Sequence, residues 1–104
     1  MAKPEVRFIN NRDGTPKSEG KFMPNTWGVD VICRNKGVTT RTHVGIIKRG
    51  DEWGFYKRDA NGEYDFTKAL ITSPTISKAQ NLVWKLVDGY HAEGRLADLG
   101  VEQS

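Results

Sequence analysis

One cysteine, Cys33, is all that the sequence holds. It cannot close an internal disulfide, and no second thiol is there to complete a metal-ligand pair, so a reducing, cytoplasmic setting is expected. Histidine is nearly as scarce. His43 and His91 do not fall in HExxH or a comparable spacing, which removes the usual zinc signatures. The glycines match neither GxGxxG nor the P-loop lysine pattern, so no phosphate-cradling loop is expected. Apolar runs end after a few residues, well short of the roughly 20 that a spanning helix needs, and no basic-then-apolar leader opens the chain. These absences lead to the expectation of a protein without cofactor, metal centre or membrane segment.

What the sequence does have is the composition of a folded domain. An apolar fraction of 37% and a charged fraction of 28% over 104 residues describe one globular unit, residues 1–104, able to bury a core without staples. The net charge is +3, and it is unevenly spread. Arg34, Lys36, Arg41, Lys48, Arg49, Lys57 and Arg58 face only Asp51 and Glu52 in the middle of the chain, whereas Asp88, Glu93, Asp98 and Glu102 outnumber Arg95 at the end. A basic centre followed by an acidic tail from about Gly94 hints at a surface facing a polyanion.

Turn signals divide the first two thirds. "NRDG", "RNKG", "KRGDE" and "DANG" each pair Gly with residues that tolerate reversal. The segments between them alternate. "EVRFIN" sets Val6 and Phe8 on one side; "TWGVDVICR" sets Trp27, Val29, Val31 and Cys33 on one side with Asp30 and Arg34 on the other; "TRTHVGIIKR" sets Thr42, Val44 and Ile46 against Arg41 and His43. "EWGFYKR" and "EYDF" read as two arms of a hairpin around "DANG", with Trp53 and Phe55 facing inward and Tyr56 and Arg58 outward.

After "TSP" the period changes to 3.6. Ile76, Ala79, Leu82, Val83, Leu86, Val87 and Tyr90 form one apolar stripe, which predicts a helix over about Ser73–Glu93 stopped at Gly94 and followed by "RLADLG" as a short turn of helix or a packed tail. Ser73 before Pro74 and the box "SKAQ" from Ser77 both offer a start. Trp84 lies off the stripe, beside Asn81, Asp88 and His91.

Strands followed by one amphipathic helix define an α+β domain, with an antiparallel sheet of four to five strands covered on one face by the C-terminal helix. The other face then carries Arg34, Lys36, Arg41, His43, Lys48, Arg49, Tyr56, Lys57 and Arg58. Guanidinium groups grip phosphate and aromatic rings stack on bases, so nucleic acid, DNA or RNA, is the expected partner of a non-enzymatic protein. The three strands and helix carried by "WGFYKRDANGEYDF" and the segment after it resemble the DNA-reading sheets of plant AP2-type domains and integrase arm-binding domains. That likeness is one of arrangement, and no residue is carried over from either family. The competing expectation is an adaptor or inhibitor that binds another protein, or itself, through Trp84, Asn81, Asp88 and His91. Cys33 falls on the core side and reads as an inert thiol. Asp30, Asp51, Glu52 and Asp65 have no spacing that joins two of them in acid–base work.

Overall fold

Alternating patterns and short turns in the first two thirds produce an antiparallel meander, and the 3.6-residue stripe produces the helix that covers it. The computed structural model describes residues 3–16, 18–59 and 61–101. Strands β1 (Glu5–Arg12), β2 (Phe22–Asn35), β3 (Val38–Arg49), β4 (Glu52–Tyr56) and β5 (Ile71–Ser73) lie side by side in chain order, followed by α1 (Ile76–Ala92) and a short 3-10 turn, Leu96–Leu99. The protein is an α+β domain. Among the described residues no helix is long and apolar enough to cross a membrane.

The connections follow from the turn residues. Between β2 and β3 the pair Lys36 and Gly37 both adopt positive φ, 51° and 82°, as a two-residue type I′ turn requires. Asn35 and Val38 face each other across it, and this fixes the register of the two longest strands. The β1–β2 ladder slips at Asn11, whose φ is 50°, so Asn10 pairs with Trp27 but Arg12 with Phe22. The irregularity there bends the strand as a bulge does.

The core lies between the sheet and the helix. Val6, Val29, Val31, Cys33, Val44, Ile46 and Phe55 cover the inner face of the sheet, and Ala79, Val83 and Val87 of α1 meet them, with Phe8, Trp27, Trp53 and Leu86 at the margin. Each fully buried large apolar side chain contributes roughly 1.5–3 kcal/mol relative to exposure, so the stripe holds α1 far more firmly than helix propensity does.

Two expectations change, and the packed tail holds. The helix begins at Ile76, because Thr75 and neither Ser73 nor Ser77 supplies the cap: its Oγ1 accepts the Lys78 N–H at 3.3 Å. Its end falls where expected, with Gly94 at φ +70° and the Arg95 N–H closing onto the Tyr90 carbonyl. The segment "EYDF" is no strand arm. Only Arg58 and Tyr64 bridge, Ala60 of that turn lies outside the described residues, and β4 pairs instead with β3 and with the short β5. The acidic tail is also part of the core, since Leu96, Leu99 and Val101 are buried in the same cluster as the strands; Glu102 lies outside the described residues. The apolar residues, three apart and then two, outweigh the interleaved charges, which remain at the surface.

Leu96→Ala should therefore cost about 2–5 kcal/mol, and thermal unfolding should show a midpoint lower by roughly 10 °C or more. A change of a degree or two would mean that this segment is a tail and not a layer of the core.

Candidate functional site

The sheet face turned away from the helix is built in cross-strand rows. Glu5, Ile32 and Arg41 form one row, and Arg7, Asp30 and His43 form the next. A third, Ile9, Gly28, Gly45 and Tyr56, continues onto β4. The first two rows are charged and reach water at their ends, over the buried Ile32 and Asp30 of β2; the third is covered.

In the polar half carboxylates hold the cations in place. Glu5 accepts Arg7 Nε at 2.6 Å and Arg34 Nη1 at 2.9 Å, and these two hydrogen bonds hold its pKa below the usual carboxylate value. Asp30, with only 5% of its side chain accessible, has His43 Nδ1 at 2.7 Å and Arg41 Nη1 at 4.0 Å. Arg7, Arg34 and Arg41 each keep about half of the side chain in water. A guanidinium has five donors and the carboxylates take one or two. The groups are thus oriented and have donors left for a ligand.

The covered half depends on Tyr64. Its phenol lies on Gly45, where an added Cβ would come within 2.6–2.8 Å of the ring and hydroxyl. Only glycine leaves room. The hydroxyl donates to the Asp13 carbonyl oxygen and accepts from Arg58 Nη2. Arg58 Nη1 reaches the Gly62 carbonyl at 2.6 Å, and the guanidinium stacks 4.6 Å from the Tyr64 ring centre. Burial pushes the Tyr64 phenol up to about 12, with Arg58 opposing the rise. Burial alone would raise Asp13 too, but the Thr15 hydroxyl and N–H, with Arg58 3.9 Å away, prevail and its pKa is lowered.

Beyond Tyr64 the stacking continues. Phe66 meets the edge of Tyr56 with ring centres 5.1 Å apart and lies 6.2 Å from Tyr64, while Arg49 sits 4.3 Å over the Phe66 ring. Arg49, Phe66, Tyr64 and Arg58 thus form a ladder with a cation at each end and two aromatic rings between. Two depressions flank it. A crevice of about 300 Å³ is lined by Arg41, His43 and Arg58 among others, and a groove of about 380 Å³ by Met23, Tyr64 and Phe66; Arg58 and Gly62 belong to both.

The residues expected at the site divide. Arg34, Arg41, His43, Arg49, Tyr56 and Arg58 share the outer face. Lys48 does not, because it stands opposite Trp53 on the helix side, and the Lys57 side chain runs beside Gly100. Lys36 occupies the β2–β3 turn. Alternation predicts Arg58 looking outward as a phosphate contact; only 18% of its side chain is accessible, because it is anchored in the Tyr64 network. Arg7, Asp13, Tyr64 and Phe66 join the face without having been expected there. Alternation along "EVRFIN" already sets Arg7 opposite Val6, and the aromatic pair in "EYDF" is the one local sign of a cover over the sheet's glycines.

On the helix, Trp84 is 37% exposed but its ring meets Phe8 edge-on at 6.5 Å. Asp88 pairs with Lys3 at 3.2 Å, Asn81 is exposed and His91 half-buried. Burial raises the Cys33 thiol, away from the reactive thiolate. Among the described residues no group of three or more His, Cys, Asp or Glu side chains could hold a metal ion. No known family matches the chain, and comparison with curated proteins and with solved structures gives no significant match.

The fold favours the neutral Tyr64 phenol, so its stabilising contribution is complete below an unfolded pKa of about 10 and is lost as pH rises through about 12. Ultraviolet titration should show one tyrosine ionising about two pH units late. Gly45→Ala should displace the ring and return that tyrosine to the ordinary range. A Tyr64 phenol that ionises in the ordinary range in the parent protein, identified by the difference from a Tyr64→Phe variant, would contradict the packing.

Proposed function

We propose that the protein is a non-enzymatic nucleic-acid-binding protein, which meets the phosphate backbone with the polar half of its outer sheet face. The observation that carries this reading is a set of oriented cations: Arg7, Arg34 and Arg41 stand half in water on three adjacent strands, held by Glu5, itself about one third accessible, and by the buried Asp30. A phosphate approaching this face meets guanidinium donors already oriented for two-pronged contact. His43, fixed by Asp30, adds a ring beside Arg41, and Arg49 extends the cationic character along β3.

The alternative is a protein-binding surface around Trp84, Asn81, Asp88 and His91. It draws on the exposed part of Trp84, but the Phe8 contact and the Lys3–Asp88 pair already give two of these residues a place within the fold. The sheet face is the stronger candidate.

Arg34→Ala together with Arg41→Ala should leave the fold intact and weaken binding to a mixed-sequence oligonucleotide. The log–log dependence of affinity on salt should become shallower by about 0.9 for each duplex phosphate that is no longer neutralised. Lys78→Ala with Lys85→Ala, the same loss of charge on the exposed helix surface, should have a much smaller effect. Equally weakened binding in both double variants would reduce the interaction to net charge and leave the helix surface as the better reading.

A further inference from the structure

We propose that the Met23–Tyr64–Phe66 groove takes an unpaired nucleobase, so that the ligand of the sheet face is single-stranded nucleic acid and not a duplex. This rests on the nucleic-acid reading and specifies its substrate.

The groove lies beside Tyr64, on the covered half of the outer face. It is about 380 Å³, within the range of small-ligand sites. Phe66 is 47% exposed, an unusual position for a large aromatic ring held in place by Tyr56 on one side and Arg49 on another. The Phe66 and Tyr64 rings are 6.2 Å apart and splayed by 39°, with Met23 lining the same depression. These surfaces suit a flat, polarisable ring with polar edges. Cations bound the aromatic ladder at both ends, Arg49 over Phe66 and Arg58 over Tyr64, while Asp13 and Glu63 also line the groove and offer acceptors to the polar edge of a base.

Continuity supplies the rest. Arg58 and Gly62 line both the groove and the crevice of about 300 Å³ that holds Arg41 and His43. A base in the groove therefore has its backbone beside a cation-lined crevice, the alternation of ring and phosphate that a nucleotide strand presents. Arg58 Nε–H, buried and without a hydrogen-bond partner among the described residues, leaves an unsatisfied donor at that junction. In a duplex the faces of the bases are sealed in the stack; in a single strand they are open to aromatic side chains.

The test uses fluorescence anisotropy with three labelled probes of one length, about a dozen nucleotides, within the span that single-strand binding folds cover. They are a single-stranded thymidine oligonucleotide, the same strand as an abasic backbone, and a duplex. The intact protein should bind the thymidine strand about tenfold more tightly than the other two, the scale of one stacked base. Phe66→Leu, which keeps apolar volume but removes the ring face, should erase that preference and leave abasic and duplex affinities unchanged; a matching circular dichroism melt shows that the fold is kept. Equal affinity for all three probes in the parent protein, still abolished by Arg34→Ala with Arg41→Ala, would overturn the base site while the phosphate-binding reading stands. Binding to none of the three would overturn both.

Discussion

The contact on which the outer face depends is the phenol of Tyr64 lying against Gly45. Once the ring is there, its hydroxyl meets the Asp13 carbonyl, Arg58 stacks over it, and the loops after β1 and β4 are tied across the sheet. Phe66 then has a neighbour to stand beside, and the groove has two walls. A side chain at position 45 would remove the room for the ring and with it the geometry of the whole covered half. A buried phenol offsets its desolvation only when its hydroxyl is bonded, which is why Asp13 and Arg58 belong to the same contact.

That cover explains how a small domain tolerates a sheet with one face not covered by the helix. The inner face is sealed by α1 and by the Leu96, Leu99 and Val101 segment. On the outer face the glycine row is sealed by Tyr64 and, at Gly28, by the backbone of Gly14, while the rows through Asp30 and Ile32 remain polar at their exposed ends. The division places a structural half and a chemically available half on one surface, joined at Arg58.

Much of the inner layer is legible in the sequence because burial imposes periods that the chain must obey. Alternation sets Val29, Val31, Val44, Ile46 and Phe55 on the core side, the helical stripe finds Ala79, Val83 and Val87, and Gly94 marks the helix end through its positive φ. The cap is not legible, because Ser73, Thr75 and Ser77 each offer a hydroxyl and tertiary docking selects among them. The outer face is legible only in part. Arg34, Arg41 and His43 follow from period two, but nothing local distinguishes an arginine pointing into water from Arg58, which folds back onto an aromatic residue six positions away. Tyr64 over Gly45 joins segments far apart in sequence, and its local traces are the aromatic pair in "EYDF" and a glycine within an otherwise regular strand. The packed turn after Gly94 is legible in "RLADLG", whose two leucines are three apart with one charge, Asp98, between them.

Binding by the oriented arginines of β1, β2 and β3 is tested most directly by titrating isotope-labelled protein with a short oligonucleotide and following the amide and guanidinium resonances. Perturbations should concentrate on Arg7, Arg34, Arg41 and His43 and extend to Phe66, with α1 unaffected. Shifts centred on Asn81, Trp84 and His91, or no shifts at all, would contradict it.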